Sequence, residues 1–230
     1  MALISAVIPA YKEPNILEFR SRLVRALAHY DYEIIWCLGD PQTLVMIGDA
    51  SAQNLREKIV YRTDRGLGLA LQSGFQHIDP SAEWVLTMDS DGQQDPAEIP
   101  RFIGSATCTS KHCKWIGADC IAGSYDTVDE RSHWRKIISG LATRAIVWRH
   151  GLGLKNITSD YRLYRATCLR DVMQRNPPHG DDFEFVPEVL VRLAQLGYRN
   201  FANLDVSFIK RRAGSSHARL PARGYLGLLR

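Results

Sequence analysis

Trp84-Val-Leu-Thr-Met88-Asp89-Ser-Asp91 is the stretch on which the reading of this 230-residue chain turns. An apolar, strand-forming run leads straight into two carboxylates one residue apart, so a buried strand is expected to end where a charged loop begins. Working backwards, residues 68–78 have helical character after Arg65-Gly66-Leu67-Gly68, and residues 59–61 and 32–38 are further short strands. Residues 15–28 place Ile16, Phe19, Leu23 and Leu27 on one helical face, with Arg20, Arg22 and Arg25 elsewhere. The chain opens on Leu3-Ile-Ser-Ala-Val-Ile-Pro9, an apolar strand halted by proline. Strands alternating with helices predict a single α/β domain, its central sheet mostly parallel and flanked by helices. Ligands of such sheets sit beyond the carboxyl ends of the strands. Two loops then matter, residues 9–14 and 89–96.

The second loop carries the chemistry. Asp89 and Asp91, followed by Gly92, Gln93, Gln94 and Asp95, are hard oxygen donors that suit Mg2+ or Mn2+, with diphosphate oxygens completing the shell and Gln93 adding a neutral oxygen. The simpler reading is that Asp and Gly only make a turn after the strand. Gly66 and Gly68, with Asp89 about twenty residues further on, also invite a dinucleotide-binding reading, that of a nicotinamide-dependent dehydrogenase. Leu71 at the third glycine position and the mid-chain location speak against it. No serine-centred nucleophile elbow and no histidine-rich metal triad occur, which removes support for hydrolases.

Composition sets bounds. With 45% hydrophobic and 23% charged residues the chain is an ordinary globular protein, and disorder is excluded. Five cysteines, odd in number and irregularly spaced, fit a reducing compartment; Cys108, Cys113 and Cys120 match no common zinc spacing. No signal peptide and no membrane span is expected from the hydropathy pattern. The net charge of +4 hides a division. Residues 131–165 hold eight Lys/Arg against Asp160 alone, and residues 206–230 hold six against no acid, whereas the remainder has 15 bases and 24 acids. Such basic segments favour an anionic partner. Beyond the second loop, residues 116–123 and 203–209 are strand-like, and residues 133–150 and 184–196 helical. Helix 133–150 mixes Trp134, Ile137, Ile138, Leu141, Ile146 and Trp148 with Arg135, Lys136, Arg144 and Arg149, a pattern for an anionic membrane surface or for an ordinary core-packed helix with one basic face. No nucleic-acid-binding module is recognisable.

The ordered series Val7-Ile-Pro9-Ala-Tyr11-Lys-Glu13, Gly66-Leu-Gly68, Met88-Asp89-Ser-Asp91-Gly-Gln93, Trp134-Arg135-Lys-Ile-Ile-Ser139, Thr158-Ser-Asp-Tyr161-Arg-Leu-Tyr-Arg165, Glu188 and Phe208-Ile-Lys-Arg211-Arg-Ala-Gly214-Ser-Ser216 resembles the family 2 glycosyltransferases of GT-A fold. Within them it is similar to the dolichyl-phosphate mannose synthases and related polyprenyl-phosphate glycosyltransferases. The resemblance implies that residues 1–217 form the catalytic domain and residues 218–230 a basic tail. It implies that Pro9, Tyr11 and Glu13 line the nucleotide site and that Asp89, Asp91 and Gln93 hold the divalent ion. Arg135 and Ser139 would receive the acceptor phosphate, and Arg211 would approach the phosphates from the tail. The family's acid-rich turn after the second strand is reduced to Leu38-Gly39-Asp40-Pro41, where Asp40 substitutes with a one-residue shift. Tyr125 replaces an expected Arg, Asn156-Ile157 an Asp-Pro, Asp160 a Gly and His217 a Lys.

The expected activity is inverting transfer of a sugar from a nucleotide-sugar donor to dolichyl or polyprenyl phosphate. Mannose from GDP-mannose is the leading donor, and UDP-glucose or another UDP-sugar the alternative. A phosphate acceptor is ionised at neutral pH, so no general base is needed, and guanidinium groups only have to aim one oxygen at the anomeric carbon. Peripheral association with the cytoplasmic face of a membrane is expected, without nucleic acid; the oligomeric state is not legible. A non-catalytic basic binding module is the remaining rival.

Overall fold

In the computed structural model, residues 2–108, 117–124, 133–209 and 227–228 are described, with residues 133–139 and 142 described in their backbone only. Residues 3–38 form β1 (Leu3–Ala10), α1 (Ile16–Leu27) and β2 (Asp31–Leu38). Residues 41–87 continue as α2 (Pro41–Ser51), β3 (Glu57–Tyr61), α3 (Leu67–Phe75) and β4 (Trp84–Thr87). A short 3-10 turn, Pro96–Glu98, leads into α4 (Ile99–Thr107), β5 (Cys120–Ser124) and α5 (His133–His150). The last elements are β6 (Arg162–Arg165), α6 (Ala166–Arg175), α7 (Phe185–Gln195) and β7 (Phe201–Asp205).

The seven strands form one sheet in the order β3-β2-β1-β4-β6-β5-β7. It is mostly parallel, as expected, with β6 running against both of its neighbours. Alternate side chains of a strand leave opposite faces, and both faces here are covered. Val7, Ile35, Cys37 and Val85 enter one apolar layer with Phe185 and Leu190 of α7. Ile4, Ile8, Ile34, Trp36 and Leu86 enter the other with Phe19 and Leu23 of α1. That is why apolar side chains fill both faces of β1 and β2 rather than alternating, with the buried Ser5 hydroxyl donating to Glu33 as the polar exception. The expected face of α1 is the buried one: Ile16, Phe19, Leu23 and Leu27.

β1 lies between β2 and β4, so the chain leaves it in opposite directions on its two sides. Such a reversal opens a crevice at the carboxyl ends of the strands. Val7 pairs with Thr87 and Ala10 with Leu38, which brings the ends of β1, β2 and β4 to a common edge.

Four elements go beyond the sequence reading: α2, α4, β6 and α6. α2 and the 3-10 turn ahead of α4 start at an Asp-Pro pair, with the Asp40 and Asp95 side chains accepting from the backbone N–H groups of Thr43 and Ala97. Aspartate at the N-cap and proline at the first helical position are paired start signals. The strand expected over residues 203–209 is corrected: β7 stops at Asp205, and Phe208 forms an isolated bridge to Gln94.

Gly66 and Gly68 are required by close packing at the start of α3. A Cβ on Gly66, whose φ is +143°, would lie 2.1 Å from the carbonyl oxygen of Asp181, and one on Gly68 would lie 2.4 Å from that of Gly180. Gly68→Ala therefore has to displace backbone, and about 1–3 kcal/mol of destabilisation is expected. Gly104→Ala in α4, where a Cβ meets open space, should leave stability equal or slightly higher. Thermal unfolding of the two variants side by side checks the contrast.

Candidate active site

The carboxylate loop begins where β4 ends. The Ser90 hydroxyl donates to the Pro9 carbonyl oxygen at 2.8 Å, which ties the loop to the end of β1. Gly92, with φ +77°, turns the chain. The Gln93 N–H donates to Asp91 Oδ1 at 2.9 Å, and Tyr161 Oη donates to the Asp95 carbonyl oxygen at 2.8 Å. Asp95 also pairs with Arg22 of α1 at 2.6 Å. The loop is thus held from β1, α1 and the segment preceding β6. Asp89, Asp91 and Gln93 are half-buried along it.

The amide that organises the carboxylates is Gln94, one residue after the glutamine singled out in the sequence. Its side chain is buried; Oε1 accepts from the Asp89 N–H at 2.8 Å, and Nε2 donates to Asp89 Oδ2 at 2.9 Å and to Asp160 Oδ1 at 3.0 Å. Asp160, noted in the sequence only as a departure from a family pattern, is therefore a third carboxylate of this site. It is 3% exposed, and its Oδ2 has no hydrogen-bond partner among the described residues. Burial holds its carboxyl above the usual carboxylate range, opposed by the Gln94 amide and the Arg162 guanidinium and reinforced by the charge of Asp91.

Arg162 braces this arrangement from beneath. Fully buried, it donates from Nη1 to the Tyr164 hydroxyl and the Val186 carbonyl oxygen, and from Nη2 to the Ile157 carbonyl oxygen. It joins β6, the start of α7 and the loop that delivers Asp160. The Thr87 hydroxyl of β4 donates to the Asp160 carbonyl oxygen.

On the other side of β1 stand the residues expected for the nucleotide. Pro9 lies inside β1, which runs on to Ala10 rather than halting at the proline, and Tyr11 and Glu13 follow, half-buried. Lys12 Nζ and the Arg65 guanidinium each lie 5.4 Å from the centre of the Tyr11 ring. Asp40 is buried, with Oδ2 taking the Lys12 N–H at 2.7 Å and Oδ1 the Thr43 N–H at 2.9 Å. Burial alone would raise its pKa, but these backbone donors outweigh it and hold the carboxyl below the usual value. Asp40 thus fixes the 10–13 turn as well as capping α2. The same turn has Lys12 at φ +53°, in the left-handed region.

The dinucleotide reading of Gly66 and Gly68 fails on the geometry. The start of α3 faces the carbonyl oxygens of Gly180 and Asp181, and the Leu67 N–H donates to the Asp182 carboxylate at 3.2 Å. A helix N-terminus filled by the protein's own carboxylate is closed to a pyrophosphate. Glu188 is likewise internal: it accepts the His179 and Gly180 N–H groups and pairs with Arg192 at 2.7 Å.

Gln94 joins Asp89 to Asp160, and Asp91 lies on the same loop. No cluster of three His, Cys, Asp or Glu side chains with ready metal-holding geometry occurs among the described residues. Any cation would therefore need oxygens from elsewhere. Arg135 and Ser139 lie on α5, but their side chains are outside the described residues, as is Arg211. The chain running toward Arg211 does pass the carboxylate loop, since the Ile209 N–H donates to the Gln93 carbonyl oxygen at 2.8 Å. The zinc spacing at Cys108, Cys113 and Cys120 spans the undescribed residues 109–116, and Cys120 is buried in β5.

Comparisons with known proteins bear on the fold and the family. An undecaprenyl-phosphate mannosyltransferase of Micrococcus luteus is 26% identical over 217 residues, covering 91% of this chain and 85% of its own length. An undecaprenyl-phosphate 4-deoxy-4-formamido-L-arabinose transferase of Pseudomonas fluorescens is 27% identical over 72% of this chain, which spans 48% of that protein. In fold the chain matches glucosyl-3-phosphoglycerate synthase of Mycobacterium tuberculosis, solved with Mn2+ and UDP, at a TM-score of 0.67 and 17% identity over 93% of this chain and 73% of that one. A family model, glycosyl transferase family 2, fits residues 5–171. The chain is a glycosyltransferase and belongs to that family.

Proposed function

We propose that this enzyme transfers a sugar from a nucleotide-sugar donor to a polyprenyl phosphate, with mannose from GDP-mannose as the first donor to test. The observation that carries the reading is the placement of Asp89 and Asp91 at the end of β4, beside the end of β1 and backed by Asp160. The acceptor class is supported by relatives of two kinds, both named for undecaprenyl phosphate. The likeness to the mannosyltransferase favours mannose, and the arabinose transferases keep other sugars open.

The residues fit a divalent cation. Two carboxylates, Asp89 and Asp160, share the Gln94 amide with Asp91 close by on the same loop, a buried oxygen of Asp160 lacks a partner among the described residues, and desolvation raises that group's pKa, all marks of a site short of positive charge. Asp89 and Asp91 would hold the ion and Gln93 would add its amide oxygen, with donor diphosphate oxygens completing the shell. Mg2+ or Mn2+ bound there would supply positive charge against the negative charge developing on the leaving diphosphate. Tyr11, flanked by Lys12 and Arg65, gives an aromatic face and two cations beside the end of β1 for the nucleotide. Glu13 and Asp40 border the same turn, with Asp40 keeping it in shape. Arg135 and Ser139 of α5 and Arg211 of the tail would hold the acceptor phosphate. Its ionised oxygen needs only aiming, and attack from the face opposite the leaving group inverts the anomeric centre.

The activity requires access to a lipid carrier, so the enzyme would work at the cytoplasmic face of a membrane; no described helix is long and apolar enough to cross one. A panel of GDP- and UDP-sugars with a short polyprenyl phosphate tests the reading. One donor should yield a glycosyl polyprenyl phosphate of inverted configuration. Hydrolysis of donors without lipid product would remove the acceptor assignment.

A further inference from the structure

The exposed face of α5 is apolar at its centre and cationic at its edges. Trp148 is 84% exposed and Leu141 60% exposed. At about 100° per residue the two, seven positions apart, point within about 20° of each other, one above the other along some 10 Å of helix. Arg144 falls on one side of that stripe and Arg149 on the other; both are exposed, and neither forms an ion pair among the described residues. Ile146, on the far side of the helix, is fully buried, and Val147 packs against the same core. The helix is therefore already seated in the fold by one face, and the Leu141–Trp148 stripe is not needed for that seating. The core-packed face expected for this helix is thus present, and the Leu141–Trp148 face lies outside that packing.

We propose that this stripe docks the enzyme on an anionic lipid bilayer, with Trp148 and Leu141 entering the headgroup region and Arg144 and Arg149 meeting lipid phosphates. The inference rests on the polyprenyl-phosphate reading above for its purpose, since an acceptor carried in a bilayer has to be approached along the bilayer surface. Its physical basis is independent of that reading. An aromatic side chain with an amphipathic ring beside a leucine, flanked by two cations, is complementary to an interface that is apolar within and negatively charged outside. A second copy of the chain is a poorer match, because a two-fold contact through this stripe would set Arg144 and Arg149 against their own copies. By sequence the helix carries Arg135, Lys136, Arg144 and Arg149 and no acid, so its net charge is attractive to the same surface.

The test uses the 230-residue chain and vesicles free of any polyprenyl phosphate, made of phosphatidylcholine alone or of phosphatidylcholine with phosphatidylglycerol. Co-sedimentation should show the wild type partitioning onto the anionic vesicles at least about tenfold better than onto the neutral ones. Trp148→Ala combined with Leu141→Ala, and separately Arg144→Glu with Arg149→Glu, should each lower that partitioning about tenfold. Leu55→Ala, at a fully exposed leucine in the turn before β3, should leave it unchanged. In a separate assay on a short, water-soluble acceptor the Trp148/Leu141 variant should keep wild-type turnover. If that assay gives no product while vesicle binding behaves as stated, the reading of the function fails and the docking face stands. The proposal is overturned if the wild type does not bind anionic vesicles, if the Trp148/Leu141 variant binds them like the wild type, or if sedimentation in their absence shows a dimer that this variant dissolves.

Discussion

Asp91→Ala is expected to lower sugar transfer by at least about 10²–10³-fold while the protein stays folded. Asp91 sits on the turn of the carboxylate loop, half-buried, with the Gln93 N–H on its Oδ1. That loop keeps the Ser90–Pro9, Gln94–Asp89 and Tyr161–Asp95 bonds without it. Removing Asp91 thus takes a charge from the site and little from the scaffold, so circular dichroism and thermal unfolding should stay close to wild type. Asp89→Ala is a less clean probe because the same carboxylate accepts from Gln94. Wild-type turnover in Asp91→Ala, measured with saturating donor and acceptor, would take Asp91 out of the site.

Asp160→Asn should lose activity about 10²-fold and gain stability at neutral pH. The amide can still accept from Gln94 Nε2, so the shape of the site is kept and the charge is lost. A buried carboxyl whose pKa is raised in the fold opposes folding at every pH above its unfolded value, because ionisation there costs more in the fold than in the unfolded chain. The sign follows: the variant should be the more stable protein at pH 7. The gap should close as pH falls through the raised pKa toward the ordinary Asp value of about 3.9. Urea unfolding at several pH values, paired with turnover, checks both halves. A variant equally active and no more stable would reduce Asp160 to a loop residue.

The strands that build the crevice were legible because their burial on both faces leaves long apolar runs. Residues 3–9, 32–38 and 84–88 stand out for that reason, and the Asp89–Asp91 turn follows from where the last run ends. β6 was hidden by its composition. Arg-Leu-Tyr-Arg looks like a surface segment, yet Arg162 is wholly buried, because its guanidinium answers carbonyl oxygens that only the tertiary fold brings together. The same long-range meeting of β4 with β6 is what carries Asp160 to Asp89, 71 positions away in sequence. No local spacing could reveal it. α2 and the 3-10 turn ahead of α4 do carry a local signal, an Asp-Pro start at residues 40–41 and 95–96, in which the aspartate caps the backbone. Gln93 and Gln94 are adjacent, and only the side-chain directions show that Gln94 bridges the carboxylates.

The division of charge along the chain also takes on shape. The acidic part contributes Asp89 and Asp91 at the crevice, whereas Arg144 and Arg149 flank an apolar stripe on α5. Donor and acceptor would thus be met by groups of opposite sign, a cation mediating on one side and guanidinium groups acting directly on the other.

The most direct measurement is transfer of a radiolabelled sugar from its nucleotide to a short polyprenyl phosphate, followed by organic extraction. Label should enter the organic phase with Mn2+ or Mg2+ present, disappear on chelation, return when the metal is restored, and stay absent in Asp91→Ala. Organic-phase label that persists through chelation and in Asp91→Ala, or its absence with every GDP- and UDP-sugar supplied, would contradict the account.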